Sequence, residues 1–412
     1  MLIRPTPKRR RGRALVVTDR YGGNGTVTVY YLQSQAQDIV QSFAAFRNFP
    51  ASPDSFGDAA EPAATSAPTV AAIGDVQDDG SCDLVVGQAG TPGQRPPDGL
   101  EMYHISPDGP TQLLGRLAAF DHSGISSSSN FVVGDVDPSV PGDEVVVGED
   151  GSRHRASRVR VFGGFTTGHA HLLFQFRAVP SAGGLRQRLP LALGDVLSDA
   201  AHPGKSIVSG DTSGRVYVFG VHAGRATLVR RYAAFPDAPR TSARNLAVGD
   251  LLSDNPGDEI VVGDDGTRQD GLVRVLDGRT GQILAEIETF DPGEAAAGVE
   301  LWVADVIPGL AGAELIVAAN GKLRVFSFAG GTPQHVLDLA NPVPNTTNLR
   351  GLLAVGQLLP DAPGNEVALA ATDPNQPVQV FGLDESGATL MDELTAPNAG
   401  TDASVGTIAI AP

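Results

Sequence analysis

One phrase, written six times, limits what this chain can fold into more than any other feature. It reads Ala72-Ile73-Gly74-Asp75-Val76, Val132-Val133-Gly134-Asp135-Val136, Ala192-Leu193-Gly194-Asp195-Val196, Ala247-Val248-Gly249-Asp250-Leu251, Trp302-Val303-Ala304-Asp305-Val306 and Ala354-Val355-Gly356-Gln357-Leu358. Steps along the Gly or Ala position (74, 134, 194, 249, 304, 356) are 60, 60, 55, 55 and 52 residues. A fixed period of this size marks a repeat architecture built from one supersecondary unit per repeat. A short turn after each phrase leads to a second apolar run: Asp83 to Gly87, Glu144 to Gly148, Ser206 to Gly210, Glu259 to Gly263, Glu314 to Ala318 and Glu366 to Ala370. A third run alternates with period two, as in Arg158-Val159-Arg160-Val161-Phe162, Arg215-Val216-Tyr217-Val218-Phe219, Leu323-Arg324-Val325-Phe326 and Val378-Gln379-Val380-Phe381, the pattern of a half-buried strand. A looser fourth segment often ends on an aromatic: Gln112 to Phe120, Thr227 to Phe235, Gln282 to Phe290. Four antiparallel strands per repeat make a propeller blade.

The two ends complete the count. Residues 14–46 supply second, third and fourth strands without a first, and residues 404–412 supply a first strand and stop. The expected fold is therefore all-β: a seven-bladed β-propeller over 14–412, preceded by a basic tail at 1–13. Its seventh blade is split between 14–46 and 404–412, and the C-terminal strand joins the N-terminal three. Closing the ring this way removes the lone edge at the seam. The 412 residues are then one domain instead of the two or three that length alone suggests. Glycine (50) and proline (30) are abundant, above the usual share of about 12%. With 41% apolar residues beside them, they mark dense turns between short strands and exclude a helical bundle.

This repeat, G-D-[VL] followed about eight residues later by [DE]-[LIV]-V-V-G, resembles the FG-GAP or VCBS-type repeat of integrin-α-like propellers. The resemblance runs from about residue 14 to 412. It implies calcium in the loop after the first strand, held by oxygen ligands at loop positions 1, 3, 5 and 9 with glycine at 6, the hard donors that calcium takes. In the first loop the matching residues are Asp75, Gln77, Asp79 and Asp83, with Gly80 at position 6; Gln77 departs from the usual Asp or Asn. The second loop offers Asp135, Asp137, Ser139 and Asp143, with its glycine displaced to 142. The alternative reading is that these acids cap solvent-exposed turns. The other loops carry Lys205, Leu252, Ile307, Ala313, Gln357 or Leu359 at ligand positions and are not expected to bind metal. Pro141-Gly142, Pro203-Gly204, Pro256-Gly257 and Pro363-Gly364 are expected to hold those loops by covalent geometry, each with a glycine at positive φ. Calcium removal should then cost little stability. The resemblance also favours an extracellular or cell-surface location, although no signal peptide is visible in this chain.

A formal charge of −17 and pI near 4.8 make nucleic acid an unexpected partner, because phosphate binding needs a basic surface. The basic residues concentrate at Lys8, Arg9, Arg10, Arg11 and Arg13, which read as a solvated tail. One cysteine, Cys82, excludes an intrachain disulfide and a thiolate zinc cluster; it reads as a packed residue. No apolar run is long enough to span a bilayer as a helix. His169 and His171 have a metal-pair spacing but read as strand-edge histidines. Asp121-His122-Ser123 hold triad residue types, yet contiguous residues cannot take triad geometry. Asp264, Asp265 and Asp270, with Glu149 and Asp150, form acidic spots that turn formation explains, a second ion site being the alternative. Gly22 to Gly25 read as a hairpin.

Insertions at 47–68 and 89–99 are loops where recognition could reside, the alternative being tolerated insertions with no partner. The functional expectation is a non-catalytic binding or scaffold module that recognises a protein or glycan partner through its loops, as part of a larger assembly. Two alternatives stand beside it: a polysaccharide-active lyase or hydrolase, which should bring acids and stacking aromatics to one face, and a calcium-dependent lectin. The serine run Ser126 to Ser129, one Trp and six Tyr offer no sugar-stacking platform.

Overall fold

The computed structural model describes residues 14–21, 26–32, 39–45, 69–88, 99–117, 119–120, 130–149, 157–165, 170–180, 189–237, 241–340, 352–359, 362–371, 376–395 and 404–410. The basic tail, most of both insertions, Gly22 to Gly25, Asp121 to Ser123, the serine run, Asp150 and His169 lie outside the described residues. Seven four-stranded antiparallel sheets form the ring. In chain order, from inner to outer strand, the first blade is Thr69–Gly74, Asp83–Gln88, Leu100–His104 and Gln112–Leu117. The second is Phe131–Gly134, Glu144–Gly148, Arg158–Gly163 and His171–Arg177. The third is Leu191–Gly194, Ser206–Gly210, Arg215–His222 and Arg225–Ala233, and the fourth is Asn245–Gly249, Glu259–Gly263, Leu272–Leu276 and Ile283–Glu288. The fifth is Glu300–Ala304, Glu314–Ala319, Lys322–Ser327 and Gln334–Ala340, and the sixth is Leu353–Gly356, Glu366–Leu369, Val378–Asp384 and Gly387–Leu394. The seventh takes its inner strand from Ser404–Ile410 and its others from Ala14–Tyr21, Thr26–Tyr31 and Ile39–Ala44. Pairing of Leu15 with Ile410, Val16 with Ala409 and Val17 with Ile408 closes the ring as the split repeat requires.

The core lies between blades. Each of the seven clusters of buried apolar side chains draws on two adjacent blades, so every blade contributes to two of them. This explains why the second strands are unbroken apolar runs: flanked by sheet and covered on both faces, Glu144–Gly148, Ser206–Gly210 and Glu259–Gly263 are buried at every residue. Outer strands are covered less and alternate, as Arg225–Ala233 does. Inner strands neighbour one another around the axis and complete the circle through Ser404–Ile410.

A β-bulge recurs where the third strand meets the outer one, at Met102/Tyr103, Val161/Phe162, Val218/Phe219, Val275/Leu276, Val325/Phe326 and Val380/Phe381. Bulges disturb an edge and discourage sheet-to-sheet pairing. The sequence pattern gave no sign of them, since one extra residue in a loosely alternating strand leaves the period nearly unchanged.

Candidate functional site

The repeated phrase ends each inner strand at one end of the ring axis, so its aspartates Asp75, Asp135, Asp195, Asp250 and Asp305 stand in a circle there. Neighbouring blades are fastened at this circle. The backbone N–H just ahead of each second strand donates to the carbonyl of the preceding blade's phrase residue: Asp143 to Asp75 (2.8 Å), Lys205 to Asp135 (2.8 Å), Asp258 to Asp195 (3.0 Å), Ala313 to Asp250 (3.1 Å) and Asn365 to Asp305 (2.8 Å). Two junctions add a side chain, with Asp143 Oδ2 accepting Asp75 N (2.8 Å) and Asp258 Oδ2 accepting Asp195 N (2.7 Å). The Pro-Gly turns serve this junction. A Cβ on Gly142 would lie 2.6 Å from Val76 O in the blade before it, and one on Gly257 would lie 2.9 Å from Asp195 O. Gly142, Gly257 and Gly364 have positive φ (86, 84 and 79°), which glycine adopts without penalty. Gly204 does not share that conformation. The expectation of four positive-φ turns is corrected to three; Gly204 is required instead because the Val136 carbonyl crowds the space a side chain would fill.

Inside the second, fourth, fifth and sixth blades the loop is held by a buried glutamate at the head of the second strand. Glu144 Oε2 accepts Val136 N (2.9 Å) and Asp137 N (3.1 Å), and Glu259 Oε2 accepts Leu251 N (2.8 Å) and Leu252 N (3.0 Å). Glu314 does the same for Val306 and Ile307, and Glu366 for Leu358 and Leu359. All four glutamates are buried. Loss of hydration pushes Glu144 up to about 8 and raises Glu259 and Glu314, against the backbone donors that favour the anion. The glutamate thus supplies the oxygen that gathers the loop's N–H groups. Its repetition ahead of V-V-G was the available signal, but a charged residue heading an apolar strand reads as solvent-exposed until burial is known.

The expected calcium residues are distributed as follows. Asp75 folds back on its own loop, Oδ1 accepting Asp79 N (3.1 Å) and Oδ2 accepting Gly80 N (2.9 Å). Asp79 Oδ1 accepts Ser81 N, and Gln77 donates its backbone N–H to Asp83 Oδ2 (3.1 Å). Asp83 is fully buried, is pushed up to about 6 chiefly by lost hydration, and directs Oδ1 to His104 Nδ1 at 3.2 Å. In the second loop Asp137 caps Ser139 through Oδ1 and reaches Gly224 N of the third blade through Oδ2, while Asp143 goes to Asp75. Asp135 keeps a buried Oδ1. Among the described residues no group of three or more His, Cys, Asp or Glu stands where it would hold a metal ion. Asp75, Asp79, Asp83, Asp137 and Asp143 each accept a backbone N–H, while Asp135 Oδ1 is buried without a partner among the described residues.

The other end of the ring carries a second junction device. Phe120, Phe235 and Phe290, the aromatics that close the fourth segments, lie beyond the strand ends beneath an arginine of the following blade. Arg160, Arg274 and Arg324 place their guanidinium carbons 4.8, 5.3 and 4.9 Å from those ring centroids. Each also donates to the backbone carbonyl preceding the ring, at Ala119, Ala234 and Thr289. Here Glu149 gathers Ser157 N, Arg158 N and the Arg158 guanidinium, Asp264 accepts Arg268 N and Gln269 N, Asp265 takes Ser242 and Thr267, and Asp270 pairs with Arg268. Turn formation is what these acids do. His171 is exposed on an outer strand, and Cys82 is buried between the seventh and first blades. No helix of the described residues is long and apolar enough to cross a membrane.

The remaining repeated feature is the rim. At the bulge rung of six blades, and at Tyr30 in the unbulged seventh, the third-strand residues Tyr103, Phe162, Phe219, Leu276, Phe326, Phe381 and Tyr30 face Leu113, Leu172, Leu228, Ile283, His335, Leu390 and Val40 on the outer strands. Six of these seven outer positions are apolar and exposed, between 38 and 48%.

Solved structures similar to this chain are propellers of varied kind. BBS1N in complex with ARL6DN matches at 14% identity over 80% of this chain and 83% of that one, with a TM-score of 0.50. The Dos1 propeller matches at 13% identity over 84% and 92%, TM-score 0.46, and the exotype rhamnogalacturonan lyase YesX at 13% over 95% and 80%, TM-score 0.44. At such identities the likeness shows the fold alone. No protein-family model matches the chain, and no curated protein matches it in sequence. The FG-GAP resemblance rests on the repeated phrase by itself.

Proposed function

We propose that this protein is a non-catalytic binding ring that holds a protein partner on its outer rim. The observation that carries the reading is positional: every large apolar side chain exposed among the described residues, from Val40 and Leu113 to Leu390 and Met391, lies on an outer strand. Exposed apolar side chains supply area that association buries, and here they recur at the same outer-strand position in six of the seven described blades instead of scattering singly. The buried acids support the same reading. Shifted carboxylates often mark active sites, yet Glu144, Glu259 and Glu314 are engaged by backbone donors within their own blades.

The test is photocrosslinking in cells from a benzoylphenylalanine introduced at Leu113 or at Leu390. Discrete protein adducts from these rim positions, and none from the same probe at Asp254 in an axial loop, are expected. Rim probes that give no adduct, together with binding on a glycan array or turnover of a polysaccharide, would replace the reading with one of its two alternatives.

A further inference from the structure

The outer hairpin of the third blade is basic and free of acid; residues 157–180 of the second blade are free of acid too, but there Arg158 is paired with Glu149. Residues 212–236 hold Arg215, Arg225, Arg230, Arg231 and His222 and no acid, in a chain with 47 acids against 30 lysines and arginines. Linear reading misses this concentration because the arginines are spread over two strands of one hairpin. Cross-strand pairing shows what is unusual. At one equivalent rung, third strand facing outer strand, the pairs are Glu101 with Arg116, Arg160 with Gln175, Arg274 with Glu286, Arg324 with Asp338 and Gln379 with Glu393. Each joins a donor to an acceptor, as Arg274 Nε to Glu286 Oε2 at 2.6 Å and Arg324 Nε to Asp338 Oδ1 at 3.0 Å. In the third blade the pair is Tyr217 with Arg231, and the tyrosine hydroxyl donates to Asp211 instead.

Among the described residues Arg225 and Arg231 make no ion pair. Arg230 donates to the carbonyls of Arg279 and Val229 and interacts with the Tyr232 hydroxyl, and Arg215 donates to the Ser213 hydroxyl. Arg279, exposed on the adjoining turn of the fourth blade, adds a further charge beside Arg230. The strand that carries them, Arg225–Ala233, has nine residues and lies at the edge of its sheet; a bulge at Val229 divides it, and among the described residues the outward N–H and C=O groups on either side of that bulge have no ladder partner. Leu228 stands 47% exposed in its middle.

We propose that Arg225–Ala233 is a docking strand for an acidic polypeptide segment, which adds to the third blade as a fifth strand while Arg225, Arg230, Arg231 and Arg279 take its carboxylates. The proposal rests on the rim-binding reading and names the partner chemistry at one blade. Strand addition supplies backbone hydrogen bonds along an exposed edge, with side chains setting specificity. A charge of −17 over the whole chain opposes a polyanion of high charge density such as nucleic acid, whereas a short acidic segment meets only the local patch.

The experiment measures fluorescence anisotropy of a labelled ten-residue peptide built from Glu-Glu and Val-Val pairs, which presents carboxylates on both strand faces, as the arginines require: Arg225 and Arg230 lie on one face and Arg231 on the other. The full chain is compared with R225E/R231E, whose side chains make no ion pair in the fold, and with R225Q/R231Q should the reversal disturb folding; the melting curve of each is recorded. Expected are binding that weakens at least tenfold on charge reversal, weakening with added salt, and loss when alternate peptide nitrogens are methylated. Affinity unchanged by either arginine variant overturns the proposal, as does full binding of the methylated peptide. A single-stranded oligonucleotide or phosphatidylserine vesicles that bind as tightly, and release on reversal, would overturn it in favour of a phosphate-binding patch. Rim adducts from Leu113 and Leu390 without peptide binding would sink this proposal and leave the rim reading standing; absence of both would sink the two together.

Discussion

The second and third blades meet one structural need with different chemistry. In the second, Glu144 reaches back from the head of its strand to gather two backbone N–H groups, and Gly163 leaves room for it: a Cβ there would lie 3.3 Å from Glu144 Oε1. In the third, the equivalent residue is Ser206, whose buried hydroxyl has no partner among the described residues. That loop is two residues longer, and the His202 ring fills the space over Gly220, the counterpart of Gly163. His202 is fixed by Asp199, whose Oδ1 accepts its backbone N–H (2.8 Å) and meets Nδ1 at 2.9 Å. The comparison teaches that the propeller specifies a filled slot beneath each axial loop, and that either a carboxylate from the strand or an imidazole from the loop satisfies it.

The comparison presupposes a closed ring, so its most severe test removes the closure. Deletion of 404–412 takes the inner strand from the seventh blade and opens the two apolar clusters that flank it; loss of the single cooperative melt is the expected outcome, read by calorimetry, and an unchanged melt would refute the closure. Next in size is the exchange of slot chemistry. Glu144→Ala strands two buried N–H donors and should cost about 2–6 kcal/mol in urea unfolding, at about 1–3 kcal/mol for each unsatisfied group. Ser206→Ala removes an unpartnered hydroxyl and should be close to neutral; equal costs at the two sites would break the comparison.

A smaller, graded effect comes from pH. Asp83 and Glu144 have folded-state values of about 6 and about 8, both raised above their ordinary values of 3.8 and 4.5. The folded protein therefore holds protons that the unfolded chain has released. Their contribution is complete below about pH 4 and is lost as pH rises through about 6 and then about 8. The melting temperature should fall across that window, and Glu144→Gln should flatten its upper part; a rise in stability from pH 5 to 8 would contradict the assignment. The smallest expected effect is that of chelation. With Asp75, Asp79, Asp83, Asp137 and Asp143 each engaged by a backbone donor, excess EDTA should move the melt little, whereas a drop of tens of degrees would show that calcium holds the first or second loop after all.

How much was legible depended on whether an interaction lies within a repeat or between repeats. Strand order, seven blades and the split seventh blade all follow from the phrase and its period, because turn residues and alternating burial are written locally. The four buried glutamates were visible as letters without a role, since nothing in E-V-V-V-G says that the carboxylate turns inward. The arginine-on-phenylalanine junctions were visible only as separate halves, the recurring Phe at 120, 235 and 290 and the Arg at 160, 274 and 324. Their backbone contacts join residues 41, 40 and 35 positions apart.

The sequence by itself determined the architecture, because a four-strand unit repeated along the chain has few ways to bury its apolar runs other than against copies of itself. Only the tertiary structure decided which polar groups each blade shares with the next and which charges stay unpaired. Those depend on side chains from separate repeats meeting across a junction. Arg231 shows the difference: in sequence it is one arginine among many, and in the folded ring it stands on an open strand edge, facing Tyr217 where the fourth and fifth blades oppose an arginine with an acid.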